Sequence, residues 1–266
     1  MTKAHRLGAV VISLTLVSAA FAHDTWIAPR AFLTEAGGTL RFDATSHDAF
    51  PALDFAIAPN RIARSGVRLG GQTRPLAVRR RAAKSLELEA VLPSSGIAVA
   101  WIELAPRRLE LTPDKVAEYL KDIAWAGAVP AAGRWRESYR KLMKTFVAVG
   151  EASGDRSVSE PVGLALELVP IAPASALHVG DSLRLRLLKD GRPLGGLPVA
   201  AHLGATPRRF ATTNAEGEAR FALDGPGPWL FAATELVRST KPGLEWESLF
   251  TTLTLNVDAA KGSSPP

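Results

Sequence analysis

The chain has 266 residues, 47% of them hydrophobic and 22% charged, with a formal net charge of +6 and no cysteine. That length supports two domains, each with a core of its own, and the composition is that of a folded protein. The absence of cysteine excludes disulfide scaffolds and thiolate zinc or iron–sulfur sites, so any metal site is built from nitrogen and oxygen donors.

Residues 1–22 read as a signal peptide. Lys3 and Arg6 form a basic head, Leu7 to Ala19 is mostly apolar, and Ala20-Phe21-Ala22 has the small-x-small pattern of a processing site. The apolar run is shorter than the roughly 18 residues a membrane span needs. The expectation is a periplasmic protein, cleaved after Ala22, with no membrane span in the mature chain.

Residues 23–150 read as a β-rich, sandwich-like domain with a helical insert. Thr39-Leu40-Arg41-Phe42-Asp43 and Ser85 to Val91 alternate as half-buried strands do, and Gly96 to Leu104 is a more apolar core strand. Thr112-Pro113-Asp114 has a capping residue before a proline and predicts a helix to about Trp125. Trp135, Tyr139 and Leu142 recur at helical spacing and predict a second helix from Gly133 to Lys144, packing that stripe on the first domain. The insert therefore covers about 112–144, and strand resumes from Thr145 to Val149.

Residues 151–162 are small and polar and read as a linker. Residues 163–258 read as a second, all-β unit of about seven strands, a transthyretin-like or immunoglobulin-like sandwich. Leu183, Leu185 and Leu187 alternate with Arg184 and Arg186, and Asp190-Gly191 and Asn214 to Gly217 are hairpin turns. Residues 259–266 form a flexible tail. The basic runs Arg79-Arg80-Arg81 and Arg134 to Lys144 carry neither alternating aromatic platforms nor a nucleic-acid reader motif, and predict solvated basic faces with no nucleic-acid partner.

Cleavage after Ala22 would make His23 the N-terminal residue. Its α-amine and imidazole Nδ1 can close a chelate ring, and both lose their protons cheaply near neutral pH. His47 follows soon after a strand and is placed to meet the N-terminal segment across a sheet edge. These three nitrogens suit a divalent transition metal ion, with copper or nickel preferred over zinc. Asp24 or Asp48 could add an oxygen or hold a histidine tautomer, and His202 is a candidate fourth ligand if the two halves fold together. The metal-site candidates are thus His23, His47 and His202.

Catalytic motifs are missing. The chain has no Gly-x-Ser-x-Gly, no His-Glu-x-x-His and no phosphate-cradling glycine loop, and the reading is non-enzymatic. Two alternatives stand beside metal binding: a non-catalytic structural or protein-interaction module, and a copper-dependent oxidase using the same N-terminal histidine brace.

Several segments carry a resemblance in order: His23 to Pro29, Gly38 leading to His47-Asp48-Ala49-Phe50, Ala165 to Pro170, Asp190 to Leu194, Thr213 to Gly217 and Gly227-Pro228-Trp229. The chain resembles an uncharacterised bacterial periplasmic family grouped with the substrate-specific component of nickel and cobalt uptake (NikM-like). The resemblance implies two β-rich parts that bind nickel, cobalt or a similar ion, with a metal-uptake membrane component or another periplasmic protein as partner. His23 matches the family's leading histidine and His47 the one that commonly follows a glycine, here replaced by Ser46.

Overall fold

The computed structural model describes residues 23–127, 134–171, 176–204 and 206–261. Residues 1–22, expected to be a signal peptide, and the end of the expected tail lie outside the described residues. The first half carries β1 (Asp24–Pro29), β2 (Leu33–Thr34), β3 (Gly38–His47), β4 (Phe55–Ala56), β5 (Ile62–Leu69), β6 (Gln72–Arg74) and β7 (Ala77–Arg81). It continues through β8 (Leu86–Leu92), β9 (Gly96–Leu104), β10 (Arg107–Leu111), helix α1 (Pro113–Asp122) and β11 (Trp135–Val149). The second half carries β12 (Leu166–Pro170), β13 (Ser182–Lys189), β14 (Arg192–Pro193), β15 (Pro198–Leu203), β16 (Arg209–Thr212), β17 (Glu218–Ala222), β18 (Gly227–Arg238) and β19 (Trp246–Val257).

Among the described residues these strands form three sheets. A five-stranded sheet has the order β1-β3-β8-β7, with β4 on β3, and a four-stranded sheet joins β12, β13, β14 and β17. The third sheet has ten strands and draws on both halves of the chain, in the order β16-β15-β18-β19-β11-β9-β5-β6 with β2 and β10 on β11. The halves meet where β11 runs parallel to β19, from Glu137 beside Trp246 to Thr145 beside Thr254.

The ten-stranded sheet is the middle layer, and the period-2 rule sorts its side chains into two cores. On β9 and β11, Ile97, Val99, Trp101, Leu142 and Phe146 enter the core shared with the four-stranded sheet. Their neighbours Ala98, Ala100, Ile102, Met143 and Val147 enter the core shared with the five-stranded sheet. Burial on both faces explains why Gly96 to Leu104 lacks polar alternation. On β13 the expected alternation holds: Leu183, Leu185 and Leu187 are buried, while Arg184 and Arg186 both donate to Glu218. Asp190 and Gly191 both have positive φ (48° and 78°), as a two-residue type I′ hairpin turn requires.

The second helix is not there. The described part of its span, Trp135 to Lys144, belongs to the 15-residue strand β11, and α1 is the one α-helix among the described residues. Trp135 and Tyr139 share a strand face and Leu142 lies on the other, so the three form no single stripe. Three of the charges that suggested a solvated face have a carboxylate partner. Arg136 pairs with Glu245, Arg140 with Glu103 and Lys144 with Glu167. Residues 151–162, expected to be a linker, are fastened to the sheet: Asp155 accepts from the Ile97 amide, and Arg68 donates to the carbonyls of Ser157, Glu160 and Pro161. The run Arg79-Arg80-Arg81 does lie exposed, on edge strand β7.

Helix α1 closes one end of the middle sheet through Tyr119. Its hydroxyl donates to buried Glu137, which also accepts from Trp135 Nε1 and Ser248 Oγ. Burial pushes the Glu137 carboxyl above its ordinary range despite these three donors.

Strand β1 is an edge strand, so the carbonyls of alternate residues face away from β3. Side chains of the middle sheet take them up. Lys141 Nζ donates to His23 O at 2.7 Å, Thr252 Oγ1 to Thr25 O at 2.7 Å and Thr254 Oγ1 to Ile27 O at 2.6 Å. Replacing Thr252 and Thr254 by Val keeps their shape and removes both donors. Each stranded carbonyl should cost about 1–3 kcal/mol. Urea unfolding should show a loss of that size per site with the slope against denaturant unchanged.

Candidate functional site

The register of β1 on β3 decides where the candidate ligands go. Asp24 stands directly opposite His47 and Thr25 opposite Ser46. Side chains of a directly opposed pair share a face, and the next pair takes the other face. His47 therefore lies with Asp24, while His23 falls in line with Thr25, Ser46 and Asp48.

Contacts on both faces agree. On the first, His23 Nδ1 contacts Asp48 Oδ1, the His23 ring lies 5.8 Å from the Phe55 ring, and Thr25 Oγ1 is 2.6 Å from Ser46 Oγ. Lys141 Nζ reaches the same face, 2.9 Å from Thr25 Oγ1. On the second, Trp26 is fully buried against Phe50 and Leu230, and His47 Nδ1 lies 3.9 Å from Asp54.

His202, on β15, is brought to the N-terminal strand by the shared middle sheet, as fourth-ligand placement requires. It meets Asp24 rather than either histidine. His202 Nε2 is buried 3.4 Å from Asp24 Oδ2, out of hydrogen-bond alignment, and Arg208 Nη2 is 3.3 Å from the same oxygen. The three candidate histidines thus face three different carboxylates: Asp48, Asp54 and Asp24. Among the described residues, no group of three or more His, Asp or Glu side chains gathers at metal-binding distance.

Two groups escaped the sequence reading. Lys141 is buried, and burial lowers its pKa to about 8; the Asp24 carboxylate opposes that shift and Arg61 adds to it. Its position in a basic run gave no sign that it would reach the backbone of His23. The sequence offers Asp24 as an oxygen donor to metal or as a holder of a histidine tautomer; what escaped was its pairing with Arg208, which is far away in the sequence.

His202 has its pKa lowered from 6.5, first by burial and then by Arg208, with Asp24 acting in the opposite direction. A depressed histidine pKa means that the unfolded chain binds more protons in this window. Stability from this group is full above 6.5 and is lost as pH falls through the lowered midpoint. Asp24→Asn removes the upward influence, so an NMR titration of the His202 ring should show its midpoint moving lower still.

The comparisons with known proteins bear on the chain as a whole. No curated protein matches it. Among solved structures, it is similar to the fibronectin(III)-like modules of Clostridium thermocellum CbhA, at 10% identity over 90% of this chain and 98% of that one, with a TM-score of 0.22. It is also similar to Salmonella alpha-2-macroglobulin reacted with methylamine, at 11% identity and a TM-score of 0.27, over 88% of this chain and only 15% of that one. A third is the ICAM-5 D1–D4 ectodomain fragment, at 15% identity and a TM-score of 0.22, over 91% of this chain and 54% of that one. The family match carries no tie to nickel or cobalt uptake: a family model matches residues 20–235, and the chain belongs to the family described as a domain of unknown function, DUF4198.

Proposed function

We propose that the protein is a non-catalytic structural or interaction module of the periplasm, exported by cleavage after Ala22. The observation that supports this reading is the β1–β3 register. It turns His23 and His47 to opposite faces of the strand pair, and His202 faces Asp24, which is itself paired with Arg208, rather than either histidine. A chelate or an oxidase brace needs the His23 and His47 rings to converge on one ion. A rigid module does not. It needs a stiff frame that presents a fixed surface, and a ten-stranded sheet with a packed layer on each face supplies one. No helix among the described residues is long and apolar enough to cross a membrane.

The test is copper and nickel titration of three proteins: the chain beginning at His23, the same chain with one extra N-terminal residue, and His47→Ala. The extra residue moves the free amine away from the His23 imidazole. The interaction-module reading expects weak binding of equal strength in all three, followed by calorimetry. Tight binding by the first form, lost in both of the others, would restore the metal-handling reading.

A further inference from the structure

The side of β1 that carries Thr25 borders a groove of about 640 Å³ walled by β4, the segment after it, β10 and β11. Such a volume is in the range that holds a small organic molecule. Its charge is one-sided. Arg61, Arg81, Arg107, Arg108 and Lys141 line it, against the single acid Glu110. The middle-sheet cations Arg136, Arg140 and Lys144 each have a carboxylate within 3 Å. Among the described residues, none of the five groove cations has one within ion-pair distance. Lys141 bonds only the neutral oxygens of His23 and Thr25. Arg61 gives Nη2 to the Ala105 carbonyl at 2.8 Å, while its buried Nε has no hydrogen-bond partner.

Lys141 is buried and Arg61 half-buried, while Arg81, Arg107 and Arg108 lie exposed along the rim. A buried cation without counter-charge is expensive, and a concave wall of one sign concentrates its field on whatever enters. Beside the cations stand apolar surfaces: the Phe55 ring, 42% exposed, and the flank of Tyr139, opposite Arg107 in the β10–β11 ladder. We infer that this groove binds an amphiphilic oxyanion, a carboxylate or phosphate monoester on an apolar or aromatic body. The charged head would lie against the Arg61 and Arg107 guanidinium groups with the Lys141 charge behind them, and the body would lie on Phe55 and Tyr139. Guanidinium groups fit both heads, because each offers paired oxygens to paired N–H donors.

The inference rests on the interaction-module reading and names the chemistry of its ligand. Its test uses the mature chain from His23 at low ionic strength, with phenyl phosphate, benzoate, inorganic phosphate and uncharged phenol as probes. Binding is followed by calorimetry and by amide NMR shifts. Phenyl phosphate or benzoate should bind saturably and shift groove residues. Inorganic phosphate should bind more weakly, and phenol by about tenfold or more. Arg61→Gln and Arg107→Gln, shown folded by circular dichroism, should each weaken the organic anion by about tenfold. A preference between the two organic anions tells the phosphate ester from the carboxylate. No saturable binding of either at millimolar concentration, equal binding of phenol, or affinities unchanged in both variants would overturn the site. None of these variants touches a histidine, so the metal titrations judge the module reading separately.

Discussion

An edge strand must dispose of one row of backbone polar groups, and the way β1 does so organises this molecule. The carbonyl of His23 just before it and its own outward carbonyls at Thr25 and Ile27 are taken by Lys141 on β11 and by Thr252 and Thr254 on β19. Both donor strands belong to the middle sheet, and they are the pair that joins the two halves of the chain. The N-terminal strand is therefore fixed to the seam between the halves. A buried carbonyl left without a donor costs as much as a lost hydrogen bond, so β1 cannot slide along the seam without stranding several at once. Register on β3 is fixed by the same docking, and register is what separates His23 from His47.

The middle sheet also explains why charge is distributed as it is. A strand covered on both faces has no solvent side, so each charged residue on it needs an internal partner. Strand β11 meets that demand differently at its two central lysines. Lys144 faces the four-stranded sheet and forms a buried pair with Glu167, which in turn accepts from the amides of Val162, Gly163 and Leu164. That cluster ties the backbone of Val162, Gly163 and Leu164 to the middle layer. Lys141 faces the five-stranded sheet, where it donates to neutral oxygens and lies over the Tyr139 and Phe250 rings, with no carboxylate partner.

Much of the fold was legible in the sequence because local pattern and tertiary role agreed. The leucine–arginine alternation of β13, the turn at Asp190-Gly191 and the proline start of α1 each follow from neighbouring residues. Strand β11 was illegible for the opposite reason. Its lysines and arginines look solvated until Glu103, Glu167 and Glu245 are brought in from elsewhere in the chain, and the spacing of Trp135, Tyr139 and Leu142 fits a helical turn by coincidence. The candidate site was legible as to residue type and not as to facing. A one-residue offset between strands reverses the side on which a side chain emerges, and no composition argument can supply that parity for His23 and His47.

The unmatched lysine has a consequence for the surface as well as the core. With a pKa of about 8, Lys141 is still protonated by about tenfold at neutral pH. It therefore contributes most of a positive charge behind Arg61 and Arg107. Burial lowers the dielectric around that charge and so strengthens its reach into the groove, while the same burial makes the charge costly to the fold. The seam thus holds a cation that anchors β1 through two neutral oxygens, and its charge is left directed at the groove beside them.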